Sequence, residues 1–503
     1  MPRDTSKFKD VYNADVSPAS RFGFLDGLRT TRLDIARECS ALTLPSVVPP
    51  DGQDPDDVVM QSQQSHGARL VNNMVNQIML IIFPAGMGFF KLDFSDKDMK
   101  EVFKSQVMPD GRSMYEAARG NFISLEHECN QTFESSGYRE KATMIIQQLV
   151  IAGSCLYITN ADDNLMYLLR LEDWACVRNN NGDLLEIVYR ELIDGELQYV
   201  RCWHNSADEV GIRWLIQRED ANGNTLAKAI VMQEDFPVNI PVWSLSIGED
   251  YGRGQVEENL ADLRIFDSGS KITTDSAAAM GKVIFTVAPN GRTKIEDIAG
   301  AKNCSIVSGV AEEIGTVQAN KHYDLQHFIG HIEGIKRSLD YSFMMPDVIR
   351  RQAERVTAEE IQLMARELEK SKSGVYSSLT NSVQMPLAQM TLKLTMRKSL
   401  VVQSNPVLSQ LEPVIVTGIQ GLGRGFELES TLQLLSDVTA IPAMVPLIKY
   451  DQLLYRLANL RGVELMGLVK TQEELMAEQQ QSAMDQAAMG AAPELIKGAM
   501  TNG

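Results

Sequence analysis

Four groups of residues in this sequence have types and spacings that could do chemistry. The first is the glycine run Gly418-Ile419-Gln420-Gly421-Leu422-Gly423-Arg424-Gly425. It follows an extended-looking segment, Pro413 to Val416, as a dinucleotide-binding loop should. A G-x-G-x-x-G starting at Gly421 would need its third glycine where Phe426 stands, and no βαβ unit surrounds it, so a loop needing positive φ is the stronger reading. The second, Ser268-Gly269-Ser270-Lys271-Ile272, lacks the spacing of a phosphate loop and lies inside a helical pattern. The third, His327 and His331, sits about one helical turn apart and could share a metal, but spacing supplies no third ligand and no metal site is nominated. No Ser–His–Asp set or carboxylate pair can be assembled either, so the sequence nominates no catalytic residue and no cofactor.

The fourth group is electrostatic. Arg350, Arg351 and Arg355 form a basic cluster in a chain with 48 Lys and Arg against 66 Asp and Glu, a net charge of −18. That total excludes tight binding of nucleic acid over the whole surface, since phosphate attraction needs Lys and Arg. Residues 347–400 reverse the balance, with nine basic and six acidic residues. The cluster reads as a solvated helix start or as a loop aimed at something negatively charged.

The element that must position it begins at Thr357. Thr357 and Glu360 make a capping box, the hydroxyl accepting from the N–H of residue 360 and the carboxylate reaching back to the N–H of residue 357. Ile361, Met364, Leu368, Val375, Leu379, Val383, Pro386, Met390 and Leu394 then fall on one helical stripe, broken at Lys372. A helix from Thr357 to Leu394 would be roughly 55 Å long at about 1.5 Å per residue. Pro386 cannot donate a hydrogen bond and its ring crowds the carbonyl of Ser382, so it should kink this helix. The stripe stays in phase beyond it, which predicts one bent helix that spans something. Gly374 is a second weak point.

At 503 residues the chain should hold roughly two to four subdomains. Its 44 % hydrophobic and 23 % charged residues are those of a soluble folded protein. Cys39, Cys129, Cys155, Cys176, Cys202 and Cys304 are scattered, as free thiols in a reducing cytoplasm would be. No secretory signal follows Met1. The uncharged run Leu70 to Phe90 is broken by asparagines and by Pro84-Ala85-Gly86, so it predicts a buried helix ending near Phe83 and no membrane span.

Along the chain, a polar lead-in precedes a helix from Pro18 to Leu42, and Pro45 to Gln64 reads as an irregular arm. Further helices are expected at Gly67–Phe83, Asp110–Ser136 and Tyr138–Ala152, the last stopped by Gly153 before a strand at Cys155–Ile158. From Met166 to Val242 short alternating runs separated by Asn179–Gly182, Asp194-Gly195 and Asn222-Gly223-Asn224 predict a β-rich insert, with Trp203 and Trp214 packed between strands. Tyr251-Gly252-Arg253-Gly254 reads as a flexible corner. A helix follows from Gln255 to about Met280, with Val256, Leu260 and Leu263 on one face and Glu258 and Asp262 opposite. Strands are expected at Lys282–Ala288 and Cys304–Val307, helices at His322–Phe343 and Leu428–Leu460, and a Met/Gln/Ala-rich tail from Gln472.

With these segments in place the chain resembles the portal, or head-to-tail connector, proteins of short-tailed bacteriophages. The resemblance is carried by Gly67-Ala68-Arg69-Leu70, Asn72-Asn73, Met79-Leu80 and Phe83-Pro84. It continues through Leu149-Val150-Ile151-Ala152-Gly153, Tyr251-Gly252-Arg253-Gly254 with Asp262-Leu263-Arg264, the run Glu354 to Ile361, and Gly423-Arg424-Gly425. These blocks keep the family's order across residues 67–425.

The resemblance implies an α+β, predominantly helical subunit of portal type, with a long kinked helix and a β-rich insert. Twelve such subunits would form a ring at one capsid vertex, a homododecamer that passes double-stranded DNA during packaging and ejection and joins head to tail. It implies a helical outer body, or wing, at 1–165, with the β-rich insert at 166–250. A first stem helix falls at 251–281, a clip at 282–321 and a second stem helix at 322–345. The channel loop and long helix take 346–400, and a crown and tail 401–503. Arg350, Arg351 and Arg355 would form a basic ring in the channel, and Glu258 and Asp262 part of an acidic wall that guides DNA without holding it. Implied partners are the packaging ATPase (terminase), tail adaptor proteins, and major capsid and scaffolding proteins, with no membrane. The ring would assemble in the host cytoplasm and reside in the virion. The competing readings are a nucleic-acid enzyme with an ATP site near Gly421 and an internal scaffolding protein.

Overall fold

The computed structural model describes residues 6–57, 62–84, 88–94, 101–103, 105–106, 114–160, 165–208, 211–280, 284–287, 314–317, 322–345, 375–398, 411–415 and 431–438, with 453, 454 and 457. In chain order its main elements are α1 (Pro18–Leu28), α2 (Thr30–Ala41), α3 (His66–Ile82), β1 (Phe90–Phe94), α4 (Met114–Ser135) and α5 (Tyr138–Ala152). Next come β2 (Leu156–Asn160), β3 (Leu165–Leu169), β4 (Trp174–Arg178), β5 (Leu184–Ile193), β6 (Glu196–Asp208), β7 (Gly211–Asp220), β8 (Thr225–Met232) and β9 (Val238–Asn239). The short α6 (Gln255–Glu258) leads to α7 (Leu260–Met280), β10 (Ile284–Val287), β11 (Ile314–Val317) and α8 (His322–Ser342). A π-helical turn, Thr380–Gln384, then opens into α9 (Met385–Lys398), and β12 is Leu411–Ile415.

Two compact units emerge, each drawn from two stretches of the chain. One comprises 1–89 and 129–405, the other 90–128 and 406–503. In the second, β1 and β12 pair antiparallel, from Phe90 opposite Ile415 to Phe94 opposite Leu411. The N–H of Leu92 donates to Glu126 at 2.8 Å, and the Phe94 ring packs on Phe103, Tyr115 and Phe122.

The first unit carries the β-rich insert. It is an antiparallel five-stranded meander in the order β4-β5-β6-β7-β8, beside a three-stranded sheet β3-β2-β9. The expected turns close its hairpins: Gly182, Asp194, Gly195 and Gly223 all have positive φ. Trp203 and Trp214 are buried, and Trp214 stacks on Phe236 at 4.3 Å. Among the strands the sequence did not offer is β4, which is buried at every position and so has no alternation to read.

Three local expectations change. The helix expected from Pro18 to Leu42 is broken at Arg29, whose guanidinium leaves the helix to donate to the carbonyls of Leu171, Trp174 and Glu172. The polar lead-in is not a solvated tail from residue 6 onward. Arg21 and Arg201 both bond Glu186, all three side chains being buried, and together donate to the carbonyls of Lys7, Lys9, Asp10, Val11, Asn13 and Val16. The corner Tyr251–Gly254 is packed, not flexible. A Cβ on Gly254 would stand 2.6 Å from the Val150 carbonyl, and one on Gly153 would stand 2.3 Å from that of Gly252. Here glycine permits close backbone approach.

Candidate functional site

The helix pair α7 and α8 is the scaffold for the acidic residues chosen from sequence. The two run antiparallel: near one end Gln255 and Asn259 meet Ser342, while farther along Gly269 lies under Ile332. Beyond the pair, β10 pairs antiparallel with β11, Ile284 opposite Val317. The strand expected at Cys304–Val307 lies outside the described residues, and β11 carried no expectation.

Val256, Leu260 and Leu263 are buried as expected, Glu258 is exposed, and Asp262 is half-buried. The expected single helix is interrupted at Asn259, where the chain turns between α6 and α7. The Asn259 amide donates to the Gln255 carbonyl at 2.8 Å and its oxygen accepts from the Ser342 hydroxyl at 2.8 Å. Gln255, wholly buried, donates to the Ser342 carbonyl and hydroxyl at 3.1 and 3.0 Å. A side chain that competes for its own helix's carbonyls is a physical reason for the break.

The base of the pair is tied to the N-terminal helices by charge. Arg32 meets Glu257 at 2.5 Å, and Arg264 meets Glu38 at 2.5 Å, holding the Glu38 carboxyl below its usual range. Asp267 accepts from the Ser62 hydroxyl and the Gln63 N–H at 2.6 and 2.7 Å. His66 lies 2.8 Å from Asp340 and packs against Phe266; burial lowers its pKa, against the pull of Asp340. Gln77 on α3 donates at 2.8 Å to the carbonyl of Met344, whose φ is 51°. Asn73, within the run that was denied a membrane span, also reaches the Met344 carbonyl, so polar side chains of α3 serve the joint with the end of α8. Among the described residues no helix is long and apolar enough to cross a membrane.

Arg350, Arg351, Arg355, Thr357 and Glu360 lie outside the described residues, as do Gly374 and the glycine run 418–425. Pro386 is described, in the first turn of α9. Of the stripe members described there, Val375, Leu379, Val383, Met390 and Leu394 are buried and Pro386 is half-buried. Ahead of the proline the backbone widens: the N–H of Met385 bonds the carbonyl of Thr380, five residues back. The Ser382 carbonyl, which Pro386 cannot serve, accepts from the Tyr157 hydroxyl at 2.8 Å. Gln384, wholly buried, donates to the Ile82 carbonyl at the end of α3 at 2.8 Å. Nothing in the sequence near residue 386 points to Tyr157.

His327 and His331 are exposed, and no group of three or more metal-ligating side chains occurs among the described residues. The described cysteines are buried, and burial pushes the thiols of Cys39 and Cys176 up to about 12. A groove of about 1380 Å³ between α9 and the sheets holds charges in pairs: Arg190 with Asp173, Arg218 with Glu191, and Lys393 with Asp235.

Comparison with known proteins adds the following. The family model described as bacteriophage head to tail connecting protein matches residues 17–193 and 203–468. The portal protein of Enterobacteria phage T3 is 30 % identical over 480 residues, covering 89 % of this chain and 87 % of that protein. The portal protein of Escherichia phage T7 is 29 % identical over 92 % of this chain and 90 % of its own length. That of Enterobacteria phage SP6 is 27 % identical, with 94 % and 95 % covered. Among solved structures, a chain from the neck of an empty gene-transfer-agent (GTA) particle is 11 % identical with a TM-score of 0.37, covering 75 % of this chain and 87 % of that one. The family match takes in most of the chain, including both helices of the α7–α8 pair: the chain belongs to the bacteriophage head-to-tail connecting proteins, the portal proteins.

Proposed function

We propose that this protein is the subunit of a portal ring, built of twelve copies around a central channel at one capsid vertex. The family match over residues 17–193 and 203–468 is the observation that carries this reading. Double-stranded DNA enters and leaves the head through the channel, driven inward by a separate packaging ATPase (terminase). The ring contacts major capsid and scaffolding proteins on the head side and tail adaptor proteins on the other. It assembles in the host cytoplasm, stays in the virion, and is structural, not enzymatic.

In this reading α6, α7 and α8 form the stem and residues 282–321 the clip. Arg350, Arg351 and Arg355 supply a basic ring, with Glu258 and Asp262 part of an acidic wall. DNA must move, and a wall that bound phosphates along its length would hinder it; one basic constriction guides a duplex without reading its sequence.

Electron microscopy of the purified protein tests this. The expected particle is a ring with a central hole, of about 670 kDa for twelve copies of a 55.9 kDa chain. A monodisperse monomer at high concentration overturns the reading.

A further inference from the structure

The α7–α8 pair leaves one line of α7 uncovered. Ile265 and Ile272, seven residues apart and so on one side of the helix, are 46 % and 51 % exposed, while Leu260, Leu263 and Phe266 are buried. Half-buried Asp262 precedes Ile265 by three residues. The outward line of α8 is of opposite character. It carries Gly330, Gly334, Arg337 and Tyr341, all exposed, with Tyr341 at 87 %, and a Cβ on either glycine would meet nothing within 4 Å.

We infer that the Ile265–Ile272 line of α7 seats on the Gly330–Tyr341 line of α8 in a second copy of this chain, with Asp262 facing Arg337. The inference rests on the ring reading and names the joint between neighbouring stems. Three observations favour a second copy. Two aligned, half-exposed isoleucines form an apolar ridge that needs cover. One pair of flanking charges is complementary, half-buried Asp262 on α7 and exposed Arg337 on the α8 line. The two lines are different surfaces of one chain, and such a heterologous contact is the kind that closes into a ring.

The register follows from symmetry. Rotation about a ring axis changes no height along it, so with the stem running along the axis each α7 residue meets the neighbour's α8 at the level it faces within its own subunit. Those levels are set by Asn259 with Ser342 and Gly269 with Ile332. They put Ile272 level with Gly330, Ile265 just above Gly334 beside Arg337, and Asp262 between Arg337 and Tyr341. The subunit already packs isoleucine on glycine: a Cβ on Gly269 would come within 2.2 Å of Ile332 Cδ1. The joint takes Asp262 between subunits and leaves Glu258 as the acidic residue on the open side.

Disulfide trapping in the full chain tests this. The double variant Ile272→Cys/Gly330→Cys, oxidised under native conditions, should give a ladder of linked subunits on a non-reducing gel, and each single variant only one band. Rings seen by electron microscopy that yield no ladder overturn the joint and leave the portal reading standing; wild-type protein that forms no ring overturns both. A second measurement needs no cysteine. Asp262→Arg should lower the ring fraction at least about tenfold, and adding Arg337→Asp should restore it, as charge reversal across a close pair does. A double variant no better than the single refutes the pairing.

Discussion

Pro386 leaves an unserved carbonyl in a buried helix, and the chain meets that cost with a hydroxyl from a strand 225 residues earlier. Tyr157 is wholly buried, and burial raises its phenol well above the ordinary pKa, so at neutral pH it is a donor. Tyr157→Phe should destabilise the folded chain by about 1–3 kcal/mol, the usual cost of stranding a buried acceptor. In a Pro386→Ala background, where the N–H of residue 386 returns, the same change should cost less. A double-mutant cycle in denaturant measures the difference, and additive effects would refute the link. The local sequence exposes only half of this arrangement. A proline in a helical stripe marks the problem, and its solution is a tertiary contact that no spacing encodes.

The elements themselves were largely legible where hydrophobic periodicity was strong. α3, α5, α8 and the hairpins of the β-rich insert lie close to where apolar spacing and turn residues put them. What escaped has physical reasons. A strand buried on both faces, such as β4, shows no alternation. The breaks at Arg29 and Asn259 come from side chains drawn to partners elsewhere in the fold. Gly252 and Gly254 read as freedom, yet with Gly153, the expected helix stop, they let two backbones touch. Gly153 has φ +76° and almost no room for a Cβ. Gly153→Ala should therefore cost at least about 2 kcal/mol, from strain and displacement together, whereas the same change at Gly23, with open space around it, should cost far less. Paired denaturation curves decide this, and equal midpoints would show that the corner relaxes.

For the whole molecule, the net charge of −18 and the basic cluster at Arg350, Arg351 and Arg355 belong together. An acidic subunit repels DNA generally, so a few arginines at the narrowest part of a channel would be felt strongly. Replacing all three with glutamine should leave rings intact by electron microscopy and reduce packaged or retained DNA severalfold. Unchanged DNA content in particles carrying the triple variant would remove these residues from that role. The candidate site was legible to different depths: of the acidic residues expected opposite the buried face of one helix, Glu258 is exposed on α6 and Asp262 half-buried on α7, while the half-exposed isoleucines nearby look, in sequence, like any core residue.

The buried Arg21–Glu186–Arg201 cluster has a consequence for how the chain comes into being. Along the arm from Lys7 to Val16, the Lys7 and Lys9 carbonyls accept from nearby Arg21, but those of Asp10, Val11, Asn13 and Val16 gain their guanidinium donor only when Arg201 follows. During synthesis this arm must wait for roughly two hundred later residues, and closing so long a loop is slow relative to local helix formation. This arm is thereby among the last parts to settle, and substitutions within it would act on the step that completes the β-sheet.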